Sequence, residues 1–219
     1  MFGEAGGGHK RVRVKICGIT NAADAQAAID LGADALGFNF FAGSKRYIDR
    51  QSNAEWIAKL PAGICKVAVL VNPTLNEAIE IAKLPFIDAL QLHGGESPGF
   101  CQMLAERGIR FAKAIPIRND DALIEVADFF TDTVLLDSIS QRGFGGIGEI
   151  LPWSTGRRFI ENHPALKVIL AGGLKPENVA DAVREVSPFA VDVASGVESS
   201  PGRKDLHRLR AFFAAVRSY

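Results

Sequence analysis

Short apolar runs alternate with segments of helical periodicity along most of the chain. Each run is rich in Val, Ile and Leu and is followed by a polar or proline cap and a helical pattern, which predicts a strand and then a helix. The predicted strands cover residues 12–19, 33–40, 65–71, 87–92, 110–117, 133–137, 167–171 and 190–194. The predicted helices cover residues 21–31, 52–60, 75–83, 98–107, 120–129, 153–162, 176–186 and 204–216.

Single residues mark two of these helix ends. Thr74 stands where the cap of the third helix is expected, and Gly108 stands where a left-handed residue would close the fourth. Residues 1–10 contain three consecutive glycines and are predicted to form a flexible extension outside the fold.

Eight strand–helix units predict a single-domain (β/α)8 barrel over residues 11–219. The strands are nearly continuous apolar runs, which is typical of parallel strands buried on both faces. A doubly wound open sheet is the alternative, but no Gly-x-Gly-x-x-Gly motif follows the first strand. In a barrel, the loops after the carboxyl ends of the strands carry the active site, so polar residues at those ends become the candidates.

Composition narrows the class of partner. Lys and Arg together number 25, as do Asp and Glu, so no global charge would attract nucleic acid or an anionic membrane. No apolar run approaches the roughly 20 residues that span a bilayer, and the first residues lack the apolar core of a signal peptide. Three widely spaced cysteines indicate a reducing cytoplasm, and four scattered histidines give no metal-ligand spacing.

Cys17 is the first candidate, because it ends a β-branched strand and is followed directly by Gly18 and by a helix. Most cysteines are small core residues. At this position, however, the amides of the helix start would favour a thiolate, which could act as a base.

Asp137 is the sharpest candidate, since it closes the apolar run Val-Leu-Leu of the sixth strand. It could instead cap a helix or pair with Arg142. The stretch that follows is a glycine-rich loop over residues 143–148 and not a helix, which favours a general acid at the barrel mouth.

Glycines follow both of the last two strands, with Gly172 and Gly173 in one loop and Ser195 and Gly196 in the other. Barrels often bind phosphate with these two loops and a short extra helix. Glycine amides can approach phosphate oxygens closely, so a chain of zero net charge could still hold a phosphorylated ligand.

Arg46 lies in the loop after the second strand, beside Lys45. Such a pair is usually solvated surface, but this loop overhangs the mouth, where a guanidinium could clamp a carboxylate. His93 could be a turn histidine or a polar contact in the site, and the sequence leaves both readings open.

Taken together, these motifs resemble the phosphoribosylanthranilate isomerase family of tryptophan biosynthesis. The resemblance runs from about residue 12 to the last helix, and its motifs are KICGIT (15–20), GFNF (37–40), SKRYI (44–48), QLHG (91–94), LLDS (135–138), AGGLKPENV (171–179) and VDVASGVE (191–198).

The resemblance implies an Amadori rearrangement of N-(5′-phosphoribosyl)anthranilate with no cofactor and no metal. Asp137 matches the family's general acid, Cys17 its general base, and Arg46 the residue that holds the anthranilate carboxylate. Gln91, His93 and Asp192 then count as substrate-binding residues, with Asp192 at the ribose hydroxyls. Gly172, Gly173, Ser195 and Gly196 fall in the phosphate loops. The implied partner is a small phosphorylated substrate, and the family contains monomers and dimers.

The sequence departs from the family after the sixth strand, where Ile147 replaces a threonine and Pro152 replaces an aspartate. Pro152 is expected as the first residue of the sixth helix. Two alternatives therefore stay open: an aldose–ketose isomerase acting on another phosphoribosyl substrate, as in histidine biosynthesis, and a phosphate-binding barrel without catalysis. The first usually has an aspartate where this chain has Cys17.

Overall fold

The structure, a computed structural model, describes residues 11–117, 127–138 and 152–218. Eight parallel strands close into a barrel in chain order, which confirms the predicted (β/α)8 architecture. The strands are β1 Arg13–Cys17, β2 Ala35–Asn39, β3 Cys65–Leu70, β4 Ala89–Leu92, β5 Phe111–Ile117, β6 Thr133–Ser138, β7 Lys167–Leu170 and β8 Ala190–Val193.

Helices follow the strands around the outside of the barrel. They are α1 Ala22–Asp30, α2 Ala54–Ala58, α3 Leu75–Ala82, α4 Pro98–Ala105, α5 Trp153–Asn162, α6 Val179–Val186 and α7 Leu206–Arg217, with 3₁₀ helices at Ala127–Phe129 and Ser195–Val197. Three predicted features lie wholly or partly outside the described residues: the extension 1–10, most of the helix 120–129, and the glycine-rich loop 143–148 with Ile147. None of the described helices is long and apolar enough to cross a bilayer.

Local signals explain most of the helix ends. Thr74 caps α3 as predicted, accepting a hydrogen bond from the Glu77 amide. Gly108 closes α4 at φ +67°, with its amide and that of Ile109 bonded back into the last turn, which confirms the predicted left-handed end. Pro152 is the cap residue of α5 and not its first helical residue, so that prediction is wrong by one position.

Side chains alternate between the barrel interior and the helix layer along every strand. Larger apolar residues of the strands, such as Ile16, Leu36 and Phe38, face the helices in the main core cluster. The interior cluster is built mainly from small residues: Ala35, Val67, Ala89, Ala112, Ala114, Leu135, Ile169, Ala171 and Ala190. Small interior residues leave room for longer polar side chains to enter the barrel at its carboxyl end.

A short hairpin after β8 was not predicted. Its strands, β9 Glu198–Ser200 and β10 Arg203–Lys204, pair antiparallel next to the 3₁₀ helix Ser195–Val197. Gly202 makes the turn at φ +80°, and its carbonyl accepts a hydrogen bond from the Thr20 hydroxyl. The hairpin is thereby tied to the loop after β1, at the mouth of the barrel.

Candidate active site at the carboxyl end of the barrel

The polar strand ends converge on one cavity of about 770 Å³ at the mouth of the barrel. Every residue predicted for the site lines this cavity except Gly196: Cys17, Arg46, Gln91, His93, Asp137, Gly172, Gly173, Asp192 and Ser195. Among the described residues, no group of three or more His, Cys, Asp and Glu is arranged to hold a metal ion.

Cys17 ends β1 with a free, half-buried thiol that faces the cavity. Burial raises the pKa of the thiol, the charge of Lys15 opposes this rise, Asp192 adds to it and Lys204 opposes it. The expectation that helix amides would favour the thiolate is therefore wrong, because burial outweighs the other effects. The amino end of α1 is itself capped by the side chain of Asn21.

Lys15 lies beneath Cys17, two residues earlier on the same inward face of β1. Its side chain is fully buried, and its Nζ lies 2.9 Å from Oδ1 of Asp192 on the neighbouring strand β8. Burial alone would lower the pKa of Lys15, but the charges and hydrogen bonds of Asp192 and Cys17 raise it to about 12. Lys15 is therefore a permanent cation inside the barrel.

Arg46 reaches the mouth from the loop after β2 but is already bound to a carboxylate of the protein. Its Nε and Nη2 lie 2.9 and 2.6 Å from the two carboxylate oxygens of Glu198. A Cβ on Gly18, which has φ +72°, would lie 2.3 Å from Cδ of Arg46, so only glycine gives the arginine this path. The Glu198 hydrogen bond raises the pKa of Arg46.

Lys204 completes a buried network with Glu198. Its Nζ donates to Glu198 at 2.9 Å, to the carbonyl of Cys17 at 2.6 Å and to that of Ala194 at 3.3 Å. Burial lowers the pKa of Lys204 despite the opposing charge of Glu198. Burial would raise the pKa of Glu198, but the hydrogen bonds and charges of Arg46 and Lys204 hold it below its ordinary value.

Asp137 lies across the cavity at the end of β6 and belongs to a row of hydrogen bonds. Gln91 Nε2 donates to Nδ1 of His93 at 2.8 Å, and Nε2 of His93 lies 3.2 Å from Oδ2 of Asp137. With the Gln91 amide in this orientation Nδ1 accepts, so the tautomer that fits carries its proton on Nε2 and donates it to Oδ2 of Asp137. Within the parts of the chain that the structure describes, Oε1 of Gln91 is buried and has no hydrogen-bond partner.

The loops after β7 and β8 lie together on the remaining side of the mouth. Gly172 and Gly173 have φ of +80° and +65°, which favours glycine at both positions. A Cβ on Gly196 would lie 2.0 Å from the Leu174 carbonyl oxygen, so the backbones of the two loops are in direct contact. Gly196 itself does not line the cavity, unlike the other residues predicted for the site.

Sequence reasoning missed Lys15, Glu198 and Lys204 as parts of the site. The alternation along β1 places Lys15 on the face of Cys17, so that signal was present in the sequence. Lys204 is in a two-residue strand of the hairpin, for which the sequence has no clear pattern. Asn39 and Asn72, two other polar strand ends, bond to nearby loop groups: Asn39 to Ser44 and the Phe41 amide, Asn72 to the Gly95 amide.

Comparison with known proteins gives one consistent result. The model of the family described as N-(5′-phosphoribosyl)anthranilate isomerase matches residues 14–215. The isomerase of that name from Citrifermentans bemidjiense is 42% identical over 205 residues, which cover 94% of this chain and 97% of that protein.

Two solved structures agree. One is a phosphoribosylanthranilate isomerase in complex with reduced 1-(o-carboxyphenylamino)-1-deoxyribulose 5-phosphate, with a TM-score of 0.81, 36% identity, and coverage of 95% of this chain and all of that one. The other contains monomers of the dimeric enzyme from Thermotoga maritima, with a TM-score of 0.82, 35% identity and the same coverage. The chain described here therefore belongs to the N-(5′-phosphoribosyl)anthranilate isomerase family.

Proposed function

We propose that the protein converts N-(5′-phosphoribosyl)anthranilate to 1-(o-carboxyphenylamino)-1-deoxyribulose 5-phosphate, with Asp137 as general acid and Cys17 as general base. The observation that carries the two roles is that both groups line one cavity from strands that are not neighbours, β6 and β1. An acid and a base on opposite sides of a substrate can act on different atoms of it.

The reaction needs two proton transfers by the protein. Protonated Asp137 gives its proton to the ribose ring oxygen, the ring C–O bond breaks, and the nitrogen lone pair forms a Schiff base. The Cys17 thiolate then removes the proton from C2′, which gives an enolamine that tautomerises to the ketone. A thiol whose pKa is raised by burial is a stronger base once it is ionised. The bonds that break and form all lie within the substrate, and the oxidation of C2′ balances the reduction of C1′, so no external oxidant or reductant is required.

The rest of the cavity offers partners for the remaining groups of the substrate. Arg46 stands beside Cys17 and would hold the anthranilate carboxylate with its remaining donors while Glu198 fixes the guanidinium. The phosphate would lie on Gly172, Gly173 and Ser195, which line the cavity where the loops after β7 and β8 meet.

Three further lining residues would contact the ribose and the reacting carbons. Asp192 would accept from ribose hydroxyls, and Gln91 and His93 would border the substrate on the Asp137 side. Gly196 acts indirectly in this proposal, because its missing side chain lets the two phosphate loops approach.

The test is a fluorescence assay that follows the disappearance of phosphoribosylanthranilate. We expect Cys17→Ala and Asp137→Asn each to lower kcat/KM by about 10²–10⁴-fold, the usual contribution of a general acid or base. Cys101→Ala is the matched control, because it removes a fully buried thiol from α4, on the outside of the barrel, and should keep its activity. Near-normal turnover by either site variant would remove its proposed role.

The same assay separates the alternatives. Turnover of the phosphoribosyl substrate of histidine biosynthesis, without turnover of phosphoribosylanthranilate, would favour the other aldose–ketose isomerase. Tight binding of a phosphate ester with no turnover of either substrate would favour a barrel without catalysis.

We propose further that the protein works in the cytoplasm as a monomer or homodimer, on a small phosphorylated substrate and without nucleic acid or a membrane. Three free cysteines and a net charge of zero support this. Light scattering after size-exclusion chromatography would decide between monomer and dimer.

A further inference from the structure

The Lys15 ammonium and the Cys17 sulfur converge on space that a glycine leaves open. A Cβ on Gly37, in the adjacent strand β2, would lie 2.8 Å from Sγ of Cys17 and 3.0 Å from Nζ of Lys15. Any larger residue at this position would push one of the two groups away. The two groups therefore lie around the same small gap, and Nζ of Lys15 is held there by its 2.9 Å hydrogen bond to Asp192.

We propose that Lys15 is a positioning residue for the base: its buried ammonium, oriented by Asp192, is the counter-charge of the Cys17 thiolate. This inference rests on the proposed function, in which Cys17 must ionise. Lys15 itself does not line the cavity, so its role would be exerted through Cys17.

The charges around the thiol support this role. In the described parts of the chain, the charged side-chain groups that pair with one another beside the Cys17 thiol are those of three cations and two carboxylates: Lys15, Arg46, Lys204, Asp192 and Glu198. Their charges sum to +1, so ionisation of the thiol makes the cluster neutral. Asp137 and His93 face Cys17 across the cavity and bond to each other.

Among the cations, Lys15 is the one fixed at the sulfur. Lys204 donates to the carbonyl oxygen of Cys17, and Arg46 donates to Glu198. A fully buried lysine held at 2.9 Å by a carboxylate cannot swing away, and it stays charged because its pKa is about 12. A fixed charge in a poorly solvated place acts on its neighbour far more strongly than one in water.

The plain alternative is that Lys15 and Asp192 form a buried ion pair that only stabilises the barrel. Another such pair exists: Lys113 and Glu96 lie 2.8 Å apart with side chains 5% and 1% exposed. Lys113 alternates with the same set of β5 residues as Phe111 and Ile115, which pack against the helices. Its side chain therefore points to the helix layer and not into the barrel mouth. The variant Lys113→Met is therefore a control for the loss of a buried lysine.

The experiment titrates the Cys17 thiol in the whole protein, without substrate. The rate of iodoacetamide alkylation of Cys17 is followed by peptide mass spectrometry from pH 6 to 11, and the midpoint of the rate is determined. We expect Lys15→Met to move the midpoint up by about one pH unit or more, so that alkylation at pH 8 slows at least about tenfold. Asp192→Asn should move the midpoint down, because the Cys17 thiolate then no longer competes with a carboxylate for the charge of Lys15.

Opposite shifts are the signature of a charge effect. A pair that only stabilised the fold would, when broken from either side, loosen the site and move the midpoint in the same direction for both variants. That result, or an unchanged midpoint in both, would overturn the proposal. Lys113→Met should lower the melting temperature and leave the midpoint where it is.

Two further measurements cover the case in which Lys15→Met does not fold and test whether the charge of residue 15 is what matters. If Lys15→Met does not fold, the midpoint of Asp192→Asn decides alone, and an upward or absent shift overturns the proposal. Lys15→Arg should restore most of the wild-type midpoint, since it returns the charge. Thiol titration needs no turnover, so failure of the wild type to isomerise phosphoribosylanthranilate would count against the proposed function and not against this role of Lys15.

Discussion

Cys17 and Asp137 face the same cavity, but their surroundings differ. Around Cys17, charged side chains form buried ion pairs, with Lys15 on Asp192 and with Arg46 and Lys204 on Glu198. Around Asp137, within the residues that the structure describes, the contacts are a histidine and, behind it, an amide. The base is therefore surrounded by fixed charge and the acid by a hydrogen-bonded row.

The difference fits the opposite tasks of the two groups. A buried thiol ionises only where a nearby cation offsets the loss of water, so its surroundings must be charged. A general acid must hold a proton and release it, so neutral partners that can donate or accept suit it better. The contrast can be tested by removing one charged group near Cys17 and the imidazole ring beside Asp137.

The largest effect is expected on the charged side, from Glu198→Gln. This change leaves Lys204 buried without its ion-pair partner, and removing one partner of a buried pair costs about 3–5 kcal/mol of stability. Urea denaturation would measure the free energy of unfolding. Glu55→Gln is the matched control, because it breaks a pair with Lys59 that is exposed, although at 2.6 Å it is shorter than the 2.9 Å pair of Glu198 and Lys204, and the change should cost less than about 1 kcal/mol. A loss of unfolding free energy below about 1 kcal/mol for Glu198→Gln would mean that the buried ion pairs of Glu198 do not stabilise the surroundings of Cys17.

A smaller effect is expected on the neutral side, from His93→Asn. The variant loses the hydrogen bond that orients Asp137, and a misplaced acid lowers the rate by roughly 10- to 100-fold. Steady-state kinetics should show this loss in kcat while the melting temperature stays close to that of the wild type. His163→Asn, at the end of α5, is the control and should keep the wild-type kcat. A kcat for His93→Asn equal to that of the wild type would show that Asp137 is oriented without the ring.

The smallest effect concerns acid stability. The folded protein holds the pKa of Glu198 below its ordinary value of 4.5, so the stabilisation is fully present above that pH and is lost as the pH falls through the lower, folded pKa. We expect the difference in melting temperature between the wild type and Glu198→Gln to shrink as the pH falls below about 4.5. A difference that stays constant to pH 3 would contradict the depressed pKa.

The barrel and most of the mouth could be predicted from the sequence, because both depend on local signals. Apolar runs fix the strands, and the end of a strand fixes where Cys17 and Asp137 emerge. Thr74 and Gly108 mark helix ends through hydrogen bonds made within a few residues. These predictions needed no knowledge of distant contacts.

The network around Glu198 could not be predicted, because its members come from distant parts of the chain. Arg46 and Glu198 are 152 residues apart, and the hairpin that delivers Lys204 has no periodic pattern. The ionisation of Cys17 was misjudged for the same reason, since its pKa depends on burial by the whole barrel and not on the helix that follows it.

Oε1 of Gln91, which has no hydrogen-bond partner among the described residues, affects how Asp137 can be hydrogen-bonded. If the amide rotates by half a turn, Oε1 faces Nδ1 of His93 and can accept its proton, which moves the ring to the other tautomer and leaves Nε2 free to accept. A carboxylate at position 137 matches the first orientation, and a carboxylic acid matches the second. The hydrogen bonds that join Gln91, His93 and Asp137 can therefore run in either direction, and the orientation of the Gln91 amide decides which.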